Sequence, residues 1–270
     1  MNTSVCVLGA AGRMGQSLVR HLCAGTVPGL SLTGAAEQPE CPALGRDAGT
    51  LAGCGACNVP LTADLAAAAA PAAVLIDFSA HAAAPAHAAF AAEQGKALVL
   101  GATGLDATER AAVAAAAAQA PIVLAPNMSL GVNLLLALLE QAGAALRDKG
   151  YDVEIIERHH RRKQDAPSGT ALALGQAVAA GLEWNLDEVA RHGREGLGPA
   201  RPAREIGFHA VRGGDIVGDH TVLFAAEGEC LEFSHRATQR DTFVLGALRA
   251  AAWLVGRPPG LYRMADVLGL

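Results

Sequence analysis

Charged residues are scarce in this sequence, and neither sign dominates. Of the 270 residues only 17% are charged, 51% are hydrophobic, and the formal net charge is −5. Such a chain has enough apolar side chains to bury a core, which argues against intrinsic disorder. The mildly acidic balance argues against nucleic-acid binding as a main function, because that function calls for a basic surface. We therefore expect a globular protein without a nucleic-acid partner.

A hydrophobic run long enough to span a membrane is also missing. The most apolar window, residues 107–126, consists mostly of alanine and is interrupted by Gln119 and Pro121. A spanning helix needs about 20 consecutive apolar residues. The first residues lead directly into an apolar strand and a glycine turn, without a basic leader or a cleavage site. We expect a cytoplasmic protein that has no membrane partner.

The six cysteines show neither a disulfide framework nor a complete metal-binding pattern. Cys54 and Cys57 form a C-x-x-C pair, which could be half of a zinc site or a redox pair. The sequence has no second C-x-x-C pair to complete a tetrahedral zinc site. The pair also lies in a glycine-rich stretch rather than at the start of a clear helix. We expect two ordinary thiols in a reducing compartment and no metal.

Short apolar runs alternate with helix-like segments over the first 125 residues. The predicted strands are residues 4–8, 30–35, 74–78, 97–100 and 122–125, and the predicted helices are residues 14–23, 82–94 and 106–118. Buried strands of this length between helices are typical of a parallel sheet covered on both faces. We therefore predict a Rossmann-type parallel-sheet domain over residues 1–126.

The pattern of elements changes after residue 126. The predicted elements are a helix at about 130–147, a strand at 152–159, a helix from Ser168, strands at 204–212, 218–226 and 229–237, and a last helix at about 241–255. Consecutive strands joined by short turns indicate antiparallel or mixed pairing. The last helix has the Ala and Leu content to pack on the first domain. We predict an α/β protein in which residues 127–240 form a second, α+β domain with a mixed or antiparallel sheet, and residues 241–270 complete the first.

A glycine-rich turn follows the first strand and opens the first helix. Glycines permit a tight turn and close approach of backbone amides to a pyrophosphate, and a helix N-terminus favours phosphate. The spacing G-x-x-G-x-x-G is a variant of the usual motif and is weak evidence by itself. An acidic residue about 20 positions further on, at the end of the second strand, can accept hydrogen bonds from the adenosine ribose. The predicted cofactor-binding residues here are Gly9, Ala10, Ala11, Gly12, Arg13, Met14 and Glu37.

Further polar turns follow the later strands of the first domain. Ligands of open parallel sheets bind beyond the carboxyl ends of the strands. Each turn alone could be a plain strand-to-helix connection, but as a set they are candidates to hold the nicotinamide ribose and carboxamide. The candidates are Asp77, Phe78, Ser79, Gly101, Ala102, Thr103, Gly104, Ala125, Pro126, Asn127 and Met128.

The segment ERHHRRKQDAPSGT, residues 157–170, concentrates groups suited to reduction of an anionic substrate. A solvated basic loop is the plain alternative for such a run. Here, however, a proline and Ser168 precede a new helix, whose first amides favour an anion. Histidine exchanges protons near neutral pH, and hydride transfer to a conjugated C=N or C=C leaves a carbanion equivalent that needs a proton. The residues alone thus favour a reductase of a small dicarboxylate.

Several segments resemble the family of 4-hydroxy-tetrahydrodipicolinate reductases, formerly called dihydrodipicolinate reductases. The resemblance rests on the string E-x-H-H-x-x-K-x-D-x-P-S-G-T, on the glycine turn and on RGGDIVGDH at residues 212–220, and it spans nearly the whole chain. It implies an enzyme of lysine and diaminopimelate biosynthesis. NADH or NADPH would deliver hydride to C4 of the ring formed when hydroxy-tetrahydrodipicolinate loses water. The family resemblance also implies a homotetramer assembled through sheets of the second domain.

The resemblance also implies roles for individual residues. His159 matches the proton donor or acceptor of the family, and Lys163 matches a second proton-donating or substrate-polarising residue. The implied substrate-binding residues, which hold the ring carboxylates, are His160, Lys163, Ser168, Gly169, Thr170 and Arg240.

One position departs from the pattern of some family members, in which an arginine after the acidic residue pairs with a 2′-phosphate. Here Glu37 is followed by Gln38 and Pro39. An unpaired glutamate near a phosphate repels it, with only Arg13 nearby to compensate. We expect NADH to be used at least as well as NADPH.

Two other functions compete with this interpretation. Another two-domain dehydrogenase, for example one acting on amino acids, gives no reason for the His-His-x-x-Lys and Ser-Gly-Thr constellation. A non-catalytic redox sensor that binds NAD(P)H and a partner protein predicts cofactor binding without turnover, and leaves the proton-transfer residues unexplained.

Overall fold

The computed structural model describes residues 2–270, which divide into two compact units. The parallel-sheet unit comprises residues up to Leu130 together with Asp241–Leu270, and the mixed-sheet unit comprises Gly131–Arg240. Among the described residues, no helix has the length and the apolar character needed to cross a membrane.

The parallel-sheet unit is built on seven strands, and all of their pairings are parallel. The strands are β1 (Thr3–Leu8), β2 (Leu30–Ala36), β3 (Leu61–Thr62), β4 (Val74–Asp77), β5 (Ala97–Leu100), β6 (Pro121–Leu124) and β12 (Gly260–Tyr262). Their order across the sheet is β12-β6-β5-β4-β1-β2-β3. The strand order runs in one direction from β1 to β3 and in the other direction from β4 to β12. The carboxyl ends of β1 and β4 therefore flank the position at which a doubly wound sheet binds its ligand.

Helices cover both faces of this sheet. They are α1 (Arg13–Cys23), α2 (Ala48–Ala52), α3 (Leu65–Ala69), α4 (Ala84–Glu93), α5 (Ala107–Ala116), α9 (Asp241–Leu254) and α10 (Met264–Leu268). Val5 and Val7 of β1 belong to one buried cluster, which also includes Leu248 of α9. Cys6 and Leu8 belong to the other cluster. Because successive side chains of a strand point to opposite faces, residues 5–8 of β1 are buried from both sides, which explains why this part of the strand is apolar without interruption.

The mixed-sheet unit has five strands in the order β11-β10-β7-β9-β8. Its elements are α6 (Leu130–Leu146), β7 (Asp152–His159), α7 (Gly169–Leu182), α8 (Leu186–Val189), β8 (Ala190–His192), β9 (Ile206–Arg212), β10 (Gly218–Ala226) and β11 (Glu229–Ala237). The strand β10 pairs antiparallel with β7 and β11, whereas β9 pairs parallel with β7 and β8. The predicted combination of a parallel sheet and a second, mixed sheet is therefore confirmed.

One face of the mixed sheet is covered by helices. Residues of β7 alternate between partly exposed and buried, and its buried residue Ile155 packs in a cluster with Leu139 of α6, Leu174 of α7 and Phe224 of β10. This alternation is typical of a strand with one covered face. It also puts Glu157 and His159 on the covered side, at the carboxyl end of β7.

The shortest elements were not predicted. The edge strands β3, β8 and β12 contain only two or three residues, and α2, α3, α8 and α10 only four or five. Such elements span fewer than two periods of the patterns from which strands and helices are inferred, so the repeat cannot be recognised in the sequence. Their placement depends on packing against neighbours that lie far away in the sequence.

Candidate active site

The glycine turn after β1 is held against the first helix by close backbone contact. Gly9 has φ +73°, in the left-handed region that favours glycine. A Cβ atom added at Gly15 would lie 2.1 Å from the carbonyl oxygen of Gly9 and 2.6 Å from Cα of Ala10. Only a residue without a side chain therefore allows α1 to lie this close to the turn.

The acidic residue at the end of β2 contacts the same turn. In Glu37, Oε2 accepts a hydrogen bond from the amide of Ala11 at 3.0 Å, and Oε1 accepts one from the amide of Gln38 at 3.0 Å. The distance along the sequence predicts that Glu37 lies beside the glycine turn, and in the structure Glu37 contacts Ala11 of that turn.

A cavity of about 640 Å³ lies beside this turn, within the usual range of ligand pockets. Its lining includes Gly9, Gly12, Glu37, Gln38, Phe78, Ser79 and His87. The hydroxyl of Ser79 is buried and has no hydrogen-bond partner among residues 2–270. Gly12 is the N-cap of α1 and the first turn contains no acidic side chain, so the amides and the helix dipole there favour phosphate. The amides of the glycine turn suit the phosphates of a dinucleotide, and Glu37 suits its ribose. The hydroxyl of Ser79 offers a further polar contact.

The other strand ends of the parallel-sheet unit meet at one edge, because β4, β5 and β6 are adjacent. At the end of β4, the buried carboxylate of Asp77 accepts a hydrogen bond from the amide of Ser79 at 2.8 Å and lies 2.7 Å from Nδ1 of His87. His87 was not predicted, because it comes from α4 and only the fold brings it to the cavity.

The side chains of several predicted cofactor-binding residues are buried in the core. Ala102, Ala125 and Met128 are each at most 5% exposed. Gly101 lies against Phe78, since a Cβ atom there would be 2.4 Å from the phenyl ring. These residues can therefore offer a ligand only their backbone groups, while Thr103 and Pro126 are exposed.

In the mixed-sheet unit, a buried glutamate organises the end of β7. Glu157 is 1% exposed and its Oε2 lies 2.5 Å from Nδ1 of His159. Arg212 donates to both carboxylate oxygens at 2.7 Å, and the amide of Ser168 donates to Oε1 at 3.0 Å. The sheet register explains the meeting, because Arg212 of β9 pairs with His159 and His220 of β10 pairs with Glu157.

The helix start predicted at Ser168 is confirmed, and its hydroxyl is used for capping. Ser168 is 2% exposed, and its Oγ accepts a hydrogen bond from the amide of Ala171 at 3.1 Å. The same Oγ lies 3.2 Å from Nε2 of His220. Ser168 therefore shapes the helix N-terminus, whereas Gly169, which follows it, is exposed and can present its amide to an anion.

Cationic side chains occur in the segment that precedes this helix and at the end of the mixed-sheet unit. Nζ of Lys163 lies 2.9 Å from Oδ1 of Asp165. Nε2 of His160 lies 3.4 Å from the guanidinium of Arg240, which connects the segment 157–170 to the end of the mixed-sheet unit. Nδ1 of His160 is buried and has no hydrogen-bond partner within the described part of the chain. The arrangement favours a carboxylate ligand.

Burial at the end of β7 lowers the pKa of both His159 and His220. Burial lowers the pKa of His159, and Lys163 and Arg212 lower it further, against the opposite effect of Glu157. Burial, together with the nearby His159, lowers the pKa of His220 to about 4. Burial by itself would raise the pKa of Glu157, but hydrogen bonds from Arg212 and His159 outweigh it and leave that pKa below its usual range. A buried, ionised acceptor thus faces a histidine that can exchange a proton.

The comparisons with known proteins assign the chain to one family. Residues 3–128 match the family model for the N-terminus of dihydrodipicolinate reductase, and residues 131–268 match the model for its C-terminus. The chain belongs to the dihydrodipicolinate reductase family. The resemblance inferred from the motifs is therefore confirmed.

Close relatives match this chain over its whole length. A 4-hydroxy-tetrahydrodipicolinate reductase of Anaeromyxobacter dehalogenans (strain 2CP-1 / ATCC BAA-258) is 52% identical over 268 residues, which are 99% of this chain and 98% of the relative. One of Thiobacillus denitrificans (strain ATCC 25259 / T1) is 51% identical over 271 residues, 100% of each. Both domains of the family are thus present together in one chain.

A solved structure shares the fold. Dipicolinate-bound dihydrodipicolinate reductase from Paenisporosarcina sp. TG-14 aligns with a TM-score of 0.77 and 22% sequence identity, covering 98% of this chain and 99% of that chain. The α/β fold with two sheets is therefore that of a dihydrodipicolinate reductase.

Three residues of the two sequence motifs, Glu157, Arg212 and His220, lie in the candidate site but had no predicted functional role. Glu157 precedes the two histidines in the motif, and Arg212 and His220 begin and end the segment 212–220. Their role becomes apparent from the register of the sheet, in which β9 and β10 bring Arg212 and His220 next to Glu157 and His159 of β7. Spacing along the sequence does not reveal it.

Proposed function

We propose that this chain reduces 4-hydroxy-tetrahydrodipicolinate with NADH or NADPH, a step of lysine and diaminopimelate biosynthesis. Full-length identity above 50% to relatives of that name supports this function. The observation that carries the chemistry is the buried pair of Glu157 and His159 at the end of β7, which the amide of Ser168 connects to the capped start of α7. Neither an amino-acid dehydrogenase nor a redox sensor accounts for that pair.

The substrate carboxylates bind at the N-terminus of α7. The amides of Gly169 and Thr170 supply oriented hydrogen-bond donors there. The side chains that bind the negatively charged carboxylates are those of His160, Lys163 and Arg240. The capping hydroxyl of Ser168 fixes the helix start and thereby the direction of these amides. This binding fixes the ring relative to His159 and contributes by orientation.

His159 provides the proton that the reduction requires. Gly9, Gly12 and Glu37 would hold a nicotinamide cofactor beside the glycine turn, and that cofactor would supply the hydride for C4 of the dehydrated ring. The resulting carbanion equivalent takes a proton from the imidazolium form of His159, which Glu157 stabilises. Lys163 polarises the ring or donates a second proton. Because burial lowers the pKa of His159, turnover should decline as the pH rises through that pKa.

The cofactor preference follows from the end of β2. Both oxygens of Glu37 accept hydrogen bonds from amides, and Gln38, which lines the cavity, carries no charge to pair with a 2′-phosphate. We therefore expect NADH to be used at least as well as NADPH. Steady-state kinetics with each cofactor test this expectation. A kcat/KM for NADPH more than about tenfold above that for NADH would contradict it.

A homotetramer in the cytoplasm is the proposed working form. The outer strand β11 of the mixed sheet is largely exposed, and Leu231 and Val211 of that sheet are 43% and 45% exposed. Such a surface is suited to burial between copies of the chain. Sedimentation equilibrium should give four times the monomer mass, and a monomer at micromolar concentration would contradict the assembly.

A coupled assay with the synthase that makes the substrate separates the possible functions. The proposed reductase consumes NADH, followed by its absorbance, only when the synthase product is present. A redox sensor binds NADH without consuming it. An amino-acid dehydrogenase oxidises amino acids with NAD⁺ and ignores the synthase product.

A further inference from the structure

We propose that Glu157, held in place by Arg212, is the positioning residue that makes Nε2 of His159 its proton-exchanging atom. The proposal rests on the proposed role of His159 in proton transfer. It assigns a function to two buried or half-buried side chains that do not touch the substrate in the mechanism above.

Every acceptor direction of the Glu157 carboxylate is used. Its Oε2 lies 2.5 Å from Nδ1 of His159 and accepts from Arg212 at 2.7 Å. Its Oε1 accepts from Arg212 at 2.7 Å and from the amide of Ser168 at 3.0 Å. A carboxylate with four donors on its two oxygens is fixed in position and orientation. The histidine that it contacts is therefore fixed as well.

The ionised state of Glu157 determines the tautomer of His159. An ionised carboxylate only accepts hydrogen bonds, so the ring nitrogen at 2.5 Å must carry a proton. In neutral His159 the proton is then on Nδ1, and the lone pair is on Nε2. A carboxylate that orients a catalytic imidazole in this way fixes both its tautomer and its direction.

A glycine lies next to Nε2 of His159. A Cβ atom added at Gly218, the first residue of β10, would lie 3.2 Å from Nε2 of His159. The ring of His220 contacts His159 edge-to-face, with ring centroids 5.0 Å apart. Glycine at position 218 thus keeps a side chain away from the atom that exchanges the proton.

Arg212 is anchored independently of Glu157. It also donates to the carbonyl oxygens of Asp165 at 2.5 Å and of Val211 at 2.9 Å. Its charge stabilises ionised Glu157 and disfavours the imidazolium form of His159. Glu157 and Arg212 therefore act in opposite directions on the protonation of His159, and the balance between them sets the pH range of proton transfer.

Lys163 and His220 also act on or contact His159. Lys163, in the loop after β7, lowers the pKa of His159, as Arg212 does. His220 on β10 is uncharged near pH 7, since its pKa is lowered to about 4 by burial and by His159. Among the groups acting on His159, Glu157 therefore opposes two cations, and its removal should have the largest effect.

A double-mutant cycle tests whether Glu157 acts through His159. Glu157→Gln keeps the shape and removes the charge, and it should lower kcat at pH 7 by about tenfold or more with KM changed less than about threefold. In a His159→Gln background the same substitution should change kcat by less than about twofold, because the residue on which it acts is gone. Multiplicative losses in the double variant would overturn the proposal. Near-normal turnover of His159→Gln alone would instead overturn the proposed function of that residue.

The pH profile separates positioning from a purely structural role. Glu157→Gln should move the decline of kcat at high pH toward lower pH. Arg212→Gln should move it toward higher pH, while Arg212→Lys, which keeps the cation, should stay closer to the parent protein. Shifts of both Gln variants in the same direction, or no shift in either, would overturn the proposal.

One measurement needs no folded variant at position 157. In the ¹⁵N-labelled parent protein, the imidazole nitrogen shifts at high pH identify the tautomer of each of the nine histidines. The signals of His159 are assigned by their loss in His159→Gln. The Nδ1–H tautomer is expected, and an Nε2–H tautomer would overturn the proposal.

Discussion

Adding a single methyl group at Gly15 should damage cofactor binding and stability together. In Gly15→Ala the new Cβ atom would lie 2.1 Å from the carbonyl oxygen of Gly9 and 2.6 Å from Cα of Ala10. These distances fall short of ordinary van der Waals contact by about 1 Å, and both neighbours are backbone atoms that cannot rotate away. The start of α1 must therefore move away from the turn by a comparable distance.

The size of the effect follows from the physics of overpacking. Forcing a methyl group into a packed site costs about 1–3 kcal/mol. We expect a cost of about 2–3 kcal/mol here, which lowers Tm by about 5–10 °C for a chain of this size. A displacement of about 1 Å at the helix N-terminus also misplaces the amides that hold the phosphates, so KM for NADH should rise at least about tenfold.

A graded pair of controls makes the experiment specific. At Gly12, also in the turn, the added Cβ atom would lie 3.2 Å from the oxygen of Gly9, so Gly12→Ala should have a milder effect. At Gly198, in a loop of the other unit, it would meet no atom of the described chain within 4 Å, so Gly198→Ala should leave both quantities unchanged. Differential scanning calorimetry and steady-state kinetics measure the series. An unchanged KM and Tm in Gly15→Ala would refute the close-contact argument.

Three other predictions concern the mixed-sheet unit. His159→Gln should lower kcat by about 10²–10⁴-fold with little change in KM, because it removes proton transfer in the transition state, and near-normal turnover would show that the role is misplaced. Lys163→Ala should harm both kcat and KM, since the side chain serves binding and chemistry; an effect on KM alone would restrict it to binding. Although burial opposes it, hydrogen bonds from Arg194, Arg201 and His209 lower the pKa of Glu154 to about 2. The stabilisation is present above pH 4.5 and is lost as the pH falls toward 2, so acid titration of the unfolding free energy should show a shallower slope in Glu154→Gln than in the parent protein.

The parallel-sheet unit was largely predictable because its strands are buried on both faces. The runs at residues 74–76 and at Ala97–Leu100 are apolar throughout and lie between turns, which is typical of strands in a parallel sheet covered on both faces. The edge strand β12 was missed because its three residues carry no such signal and pair with β6 from the far end of the chain. Local sequence predicts an element only where the element is long enough to show its period.

The candidate site was predictable to the extent that it is local. His159 ends a strand, Lys163 lies in the loop that follows, and Ser168 caps the next helix. These residues are close in space because they are close in the sequence. Arg212 and His220 join them through the register of β9 and β10 against β7. Sheet register depends on long-range packing, and for this reason the ion pair of Glu157 with Arg212 becomes visible only in the structure.

The transfer of deuterium from labelled cofactor tests the central claim most directly. NADH carrying deuterium at both hydrogen positions of C4 of the nicotinamide should be oxidised by this protein only when the synthase product is supplied. The tetrahydrodipicolinate formed should then be heavier by one mass unit than the product made with unlabelled NADH, as measured by mass spectrometry. NADH oxidation without deuterium in that product, or no oxidation with the synthase product present, would contradict the proposed reduction.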